Sequence, residues 1–251
     1  MIPKIIHCCW FGGAPLPKSV RRCINTWRRH MPDYEIVIWT EKEFNPQKSV
    51  PYVSEAYECG KFAFVSDYVR LYALYKFGGV YLDTDVEVIK SFDPVLCHNS
   101  FMCFESQDRL STATIAASPA SEWVLNLLNG YETRRFLCDG VMNLTTNVEY
   151  ISQYFIEQGL EQTGDFQVVD DVAIYPSEYF SPKSWGTGKY NVTSKTMAIH
   201  HFAGTWHSRS TRFLSLFLSN NAIVFIASLK ERLINFLKYV TAKDHCRHSG
   251  L

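Results

Sequence analysis

Apolar and polar positions change period several times along the chain, and each change marks an element. Residues 2–10 form a short apolar run that ends at Phe11-Gly12-Gly13, the pattern of a buried strand. Over residues 19–30, Val20, Cys23, Ile24 and Trp27 stand at i, i+3, i+4 and i+7, which predicts a helix with one apolar stripe, stopped by Met31-Pro32-Asp33. Residues 34–39 read as a second strand. A β, α, β opening of this kind predicts a parallel sheet with crossover helices. Residues 62–77 are apolar apart from Ser66, Asp67, Arg70 and Lys76, which predicts a mostly buried helix with a polar stripe, closed by Gly78-Gly79. Val80-Tyr81-Leu82 then continues as a strand straight into Asp83-Thr84-Asp85-Val86-Glu87-Val88.

The pattern weakens over residues 91–170, where a strand near 100–104 and helices near 122–129 and 149–157 are expected. Late strands are expected over 170–180 and 196–202. From 211 to 240 the chain is again strongly apolar, but Asn220 and Asn221 interrupt it. The uninterrupted stretch 222–229 falls far short of the roughly 20 residues that cross a bilayer. Lys230, Arg232, Lys238 and Lys243 follow, so this segment reads either as an interfacial amphipathic helix or as a helix packed on the domain. The division expected is one α/β domain over 1–210 and a helical tail over 211–251.

Composition narrows the classes. Among 251 residues, 25 Lys and Arg balance 25 Asp and Glu, which argues against a nucleic-acid binder. With 47% hydrophobic and 20% charged residues the chain lies far from the signature of disorder. Aromatic residues reach 15%, a load that serves cores, bases and sugars equally well. The eight cysteines show no framework spacing and no CxxC pair, so they read as free thiols and give a zinc site no support. Residues 1–7 enter a strand-like pattern without the apolar region of a signal peptide, which predicts a cytoplasmic chain. In that compartment the sequon Asn191-Val192-Thr193 would carry no sugar.

Chemistry concentrates at Gly78-Gly79-Val80-Tyr81-Leu82-Asp83-Thr84-Asp85. Two carboxylates two residues apart at the end of an apolar strand repel each other unless a proton or a cation compensates. Hard divalent ions such as Mg²⁺ or Mn²⁺ suit carboxylate oxygens and keep positions open for phosphate. If the chain leaves the sheet at Asp83, strict alternation relaxes and both carboxylates can face one ion.

The stretch from Ala63 through Asp85 closely resembles the DXD region of glycosyltransferase family 32, a group of yeast mannosyltransferases and many bacterial capsule and exopolysaccharide transferases. Ile2-Pro3-Lys4-Ile5-Ile6-His7-Cys8-Cys9-Trp10-Phe11-Gly12 resembles the family's opening strand. Ala198-Ile199-His200-His201-Phe202-Ala203-Gly204-Thr205-Trp206 resembles its closing histidine and tryptophan motif. The resemblance implies a GT-A fold, Rossmann-like with a mostly parallel sheet and flanking helices. It also implies a nucleotide-sugar donor, a divalent metal (Mn²⁺ or Mg²⁺) and retention of anomeric configuration.

Carried over residue by residue, the resemblance makes Asp85 the direct metal ligand and Asp83 a partner to the ion and to the donor ribose. One of His200 and His201 becomes the third contributor near the metal; adjacent strand residues face opposite ways, so one of the two is expected to point into the site. Trp10 resembles the aromatic that stacks on the nucleobase. Asp67 and Arg70 resemble the pair contacting base, ribose or phosphate, Tyr81 lies beside the diphosphate, and Thr205 and Trp206 cover it. Glu105 is the carboxylate to test in a retaining mechanism, whether that proceeds through a covalent intermediate or by same-face attack. Two positions depart from the family pattern: Thr112 replaces an expected asparagine, and Asn147 follows Thr145-Thr146 where many members show Gly-Pro.

The reading that results is a metal-dependent retaining glycosyltransferase. It would move a sugar from a UDP- or GDP-sugar to a glycan or lipid-linked saccharide acceptor in polysaccharide or capsule biosynthesis. It would act in the cytoplasm, with peripheral contact to the inner face of the plasma membrane through the tail. Two other classes compete. Haloacid-dehalogenase-like phosphatases also place DxD after a strand, but they ask for threonine where this chain has Glu87. A carbohydrate-binding module would explain the aromatics but not the joint presence of Asp83, Asp85 and a histidine pair.

Overall fold

The structure is a computed structural model that describes residues 1–185 and 187–204, so the expected tail and Thr205 and Trp206 lie outside the described residues. One compact unit comprises Met1–Ser184 and Lys189–Ala203. Its elements begin with β1 (Ile5–Cys9), α1 (Lys18–His30), β2 (Glu35–Trp39), α2 (Pro51–Glu58) and α3 (Phe62–Phe77). There follow β3 (Gly79–Leu82), β4 (Val86–Val88), β5 (Ser100–Ser106), β6 (Arg109–Ala117) and α4 (Glu122–Glu132). The remainder is β7 (Leu137–Cys138), β8 (Val141–Met142), α5 (Asn147–Glu157), β9 (Gln167–Val169), β10 (Val172–Tyr175) and β11 (Ala198–His200). Among the described residues no helix is long and apolar enough to cross a membrane.

Seven strands form the central sheet in the order β2-β1-β3-β6-β5-β10-β9. β1 pairs in parallel with β2 and β3, and β5 with β10. β6 runs antiparallel to both β3 and β5, and β9 antiparallel to β10. The sheet is therefore mostly parallel, as expected, with five strands running one way. Side chains alternate between two cores: Ile6, Cys8, Val80 and Leu82 enter one, Cys9 and Tyr81 the other. Much of the aromatic load is core, with Trp27, Tyr52, Tyr131, Phe101, Phe136 and Phe155 almost wholly buried. The seven described cysteines are free thiols.

Two local features set the strand that leads to the site. Gly78 and Gly79 have φ of +63° and +103°, and a Cβ at Gly79 would stand 2.5 Å from the Ile5 carbonyl oxygen. Only glycine turns the chain out of α3 and lays it against β1 at that distance. Below it, buried His7 accepts a hydrogen bond from Trp39 Nε1 at 3.1 Å on Nδ1, so its Nε2–H donates to the Gly78 carbonyl at 2.8 Å. Beyond Leu82 the expected continuous strand breaks. The Val86 amide donates to the Asp83 carbonyl at 2.9 Å, closing a turn, and β4 leaves the main sheet to pair antiparallel with β11. Helix α1 holds this ribbon: Trp27 Nε1 donates to the Val86 carbonyl at 2.8 Å, and the Val88 amide donates to Thr26 Oγ1 at 3.0 Å.

Candidate metal and donor site

The break after Leu82 brings the chemistry together. Asp83 and Asp85 sit in the turn, His200 ends β11 opposite Val86, and one ligand atom from each of these three lies within 4.8 Å of the others. Asp85 is the most constrained. Its Oδ2 accepts the Ala203 amide at 2.7 Å, its carbonyl accepts the His201 amide at 3.1 Å, and Oδ1 stands 3.4 Å from His200 Nε2. Burial alone would raise the Asp85 carboxyl, but His200 and the Ala203 amide outweigh it and hold it down to about 2. For His200, burial disfavours the imidazolium, yet the charge of Asp85 prevails and its pKa is raised. Its Nδ1 is buried without a hydrogen-bond partner among the described residues. A proton on His200 and a divalent ion among the three residues are alternative ways to offset the same two carboxylates. The donor set therefore fits such an ion.

Asp83 is fixed from the other side. The Tyr81 hydroxyl donates to Asp83 Oδ1 at 2.9 Å, and Arg70 Nη2 lies 3.5 Å from that oxygen. The Arg70 guanidinium also donates to Asp67 Oδ1 at 2.9 Å, to the Thr112 carbonyl at 2.6 Å and to the Ser66 carbonyl at 3.3 Å, with Cζ 4.5 Å over the Tyr81 ring. Arg70 is thus bound largely by the protein, and it organises Asp67, Tyr81 and Asp83 into one network. Burial is the largest influence on Asp67 and Asp83 adds to it; against the pull of Arg70 they raise that carboxyl to about 6.

The two adjacent histidines part as alternation requires. His201 turns away from the cluster: its Nε2 lies 2.9 Å from Glu87 Oε2, and its carbonyl accepts Lys183 Nζ at 2.6 Å. Phe202 follows with φ +53°, a left-handed conformation uncommon outside glycine, and its ring centroid is 3.9 Å from that of His200. Glu105, near the end of β5, feels the same field: burial raises its carboxyl, His200 and Arg109 oppose that rise, and Asp83 adds to it. Trp10 directly follows β1. The parallel register pairs His7 with Tyr81, so β1 and β3 deliver Trp10 and Asp83 to the same sheet edge, where open α/β sheets bind ligands. Trp10 is half-buried, and its Nε1 donates to the Ala14 carbonyl at 2.6 Å, leaving its ring held beside that edge.

A second cluster adjoins Asp67. The Arg134 guanidinium lies over the rings of Tyr150, Tyr131 and Tyr52 at 4.2, 4.7 and 5.1 Å, and its charge acts on Asp67. Among the described residues its Nη1 is buried without a hydrogen-bond partner, and so is Nδ2 of Asn147, whose Oδ1 lies 3.4 Å from the Tyr131 hydroxyl. Asn147 opens α5 just after the capping residue Thr146. Its unusual identity after Thr145-Thr146 is visible in the sequence. Arg134 lies in a stretch without periodicity, and nothing there singles it out.

Residues 17–102 match the family described as "Glycosyltransferase sugar-binding region containing DXD motif", which takes in α1, α3 and the turn with Asp83 and Asp85. Inositol phosphoceramide mannosyltransferase 3 of Schizosaccharomyces pombe is 30% identical over 137 residues, covering 51% of this chain and 36% of that protein. The match thus spans about a third of that relative's length. Inositol phosphoceramide mannosyltransferase 1 of the same yeast is 23% identical over 252 residues, covering 94% of this chain and 72% of the relative. Among solved structures, the PaToxG glycosyltransferase aligns with a TM-score of 0.48 and 18% identity over 63% of this chain and 69% of that one.

Proposed function

We propose, from the match of residues 17–102 to the DXD-containing glycosyltransferase sugar-binding region, that this chain is a metal-dependent glycosyltransferase acting on a nucleotide-sugar. The observation that carries this reading is the convergence of Asp83, Asp85 and His200, with Asp83 held by Tyr81 and Arg70. Mannose is the sugar to test first, since the two relatives are named mannosyltransferases. Those names also point to a glycosylated or phosphorylated lipid as the class of acceptor, and acceptor chemistry of that kind suits work at a membrane face.

Breaking the bond between the anomeric carbon and the diphosphate puts negative charge on the leaving oxygen and leaves an oxocarbenium-like centre. A divalent ion held by Asp83, Asp85 and His200 supplies electrostatic stabilisation of that leaving charge. Mn²⁺ or Mg²⁺ suits the two carboxylates, and the imidazole favours Mn²⁺. Arg70 and Tyr81 hold the Asp83 carboxylate in place through Oδ1. Asp67, buried beside Arg70, is the candidate partner for a donor hydroxyl, and Trp10 offers a ring to the base. Glu105 is the carboxylate within the field of the site that could face the anomeric centre in a retaining reaction.

The test is nucleotide release from a panel of GDP- and UDP-sugars, led by the mannosyl nucleotide, with Mn²⁺ and with Asp85→Ala. Release that requires the ion and disappears in the variant supports the proposal. Turnover of phosphomonoesters alone would replace it with a phosphatase, and sugar binding without turnover would replace it with a binding module.

A further inference from the structure

Helix α1 carries Lys18, Arg21, Arg22, Arg28 and Arg29 and no acidic residue, in a chain whose net charge is zero. At 3.6 residues per turn these five positions fall within an arc of about 120°, opposite the stripe of Val20, Cys23, Ile24 and Trp27 that the helix buries. All five are exposed, and among the described residues none of them forms an ion pair. The N-terminal part of the arrangement works against the helix, while Arg28 and Arg29 in the last turn suit its dipole. Lys18 and Arg22 are like charges at i, i+4, Lys18 and Arg21 at i, i+3, and cations in the first turn oppose the helix dipole. Lys18, Arg21 and Arg22 give up local stability with no ion pair among the described residues to offset it, and such a surface is where a function is expected.

We propose that this stripe docks on anionic lipid headgroups. It is a convex ridge about 16 Å long from Lys18 to Arg29, which matches a flat charged surface and offers no pocket for a small ligand. Its outward positions include Asn25 but no aromatic residue on which a nucleobase could stack. The inner face of the same helix holds β4 through Trp27 and Thr26, directly after the turn with Asp83 and Asp85. Docking through α1 therefore sets the candidate site beside the lipid surface. The benefit for a lipid-linked acceptor rests on the function proposed above, whereas the docking itself does not.

The experiment is flotation of the full chain with phosphatidylcholine vesicles, with and without phosphatidylglycerol, at about 0.1 M salt, where the Debye length is about 10 Å. The wild type is expected to float with the anionic vesicles only. The combined variant Arg21→Gln, Arg22→Gln, Arg28→Gln and Arg29→Gln is expected to bind them more than a hundredfold more weakly, since each such contact is worth roughly fivefold. The same four positions changed to lysine are expected to retain binding, which separates charge from folding. Nucleotide release from soluble donor stays unchanged in both variants, so loss of docking is distinguishable from loss of the proposed activity. Equal flotation of the glutamine variant, no flotation of the wild type, or tighter binding to a short DNA duplex than to the vesicles would each overturn the proposal.

Discussion

Replacing Asp85 with asparagine tests the site with the least disturbance of shape. The amide oxygen of Asp85→Asn can still accept the Ala203 amide, now made at 2.7 Å, and the turn keeps its backbone bond to His201. What disappears is the charge. A carboxyl held at about 2 instead of 3.8 contributes roughly 2 kcal/mol to folding, at about 1.4 kcal/mol per tenfold change in proton affinity. Because the folded value is the lower one, this contribution is present above pH ~4 and is lost as pH falls through about 2. The variant should therefore unfold about 2 kcal/mol more easily at neutral pH with chelator present, and its acid limb should be shallower. Function should fall much further. Withdrawing a preorganised charge from a developing leaving group costs about 10²–10³ in turnover, so nucleotide release with Mn²⁺ should drop at least about a hundredfold. Ion binding supplies an independent reading. Mn²⁺ at about 100 times its dissociation constant stabilises a protein by ~2.7 kcal/mol, so a Mn²⁺-dependent rise in Tm is expected for the wild type and not for the variant. A variant that keeps both the Tm rise and turnover within a few-fold of wild type would refute the assignment of Asp85.

The two histidines should separate in the same thermal assay. His200→Ala is expected to abolish the Mn²⁺-dependent rise in Tm, and His201→Ala, which loses the half-exposed contact to Glu87, to retain it. Gly79→Ala should cost ~3 kcal/mol or more in urea unfolding, because it combines φ +103° with a Cβ 2.5 Å from the Ile5 carbonyl oxygen; a loss under about 1 kcal/mol would contradict the close approach. Burial, against the Gly78 hydrogen bond and Glu35, lowers the pKa of His7, so the unfolded chain takes up a proton near pH 6.5 while the folded one resists it. Wild-type stability should therefore decline as pH falls from about 7.5 to 5.5, and His7→Gln should flatten that decline. An unchanged slope would show that His7 does not set it.

What the sequence reveals and what it hides follow from how far each element depends on its neighbours. Helix α3 is legible to the residue, because its sixteen mostly apolar positions are too many for a strand and Gly78-Gly79 ends it chemically. β1, α1 and β2 are legible because each carries its own local pattern. β6 is not: Ser111, Thr112, Ala113 and Thr114 are small or hydroxylated, and only their burial between β3 and β5 makes them central strand residues. Short α2 begins at Pro51 and relies on packing rather than propensity, and the turn at Asp83 hides inside a run that reads as one strand.

The same distinction orders the site. Asp83 and Asp85 are close in sequence, so their pairing needs no fold to be noticed, whereas the choice between His200 and His201 depends on the register of β11 against β4. Pairing His200 with Val86 places its ring at the carboxylates and sends His201 to Glu87, and one step of slip would exchange them. The site is then specified twice. Local sequence supplies the acidic turn, and a pairing across more than a hundred residues supplies the nitrogen. Such a division gives the closing strand a mechanical link to the ion, because the Ala203 amide and His200 meet the same carboxylate of Asp85. Any change in charge at Asp85 is consequently felt by the 198–203 segment, and this is why the asparagine variant reads out stability and chemistry together.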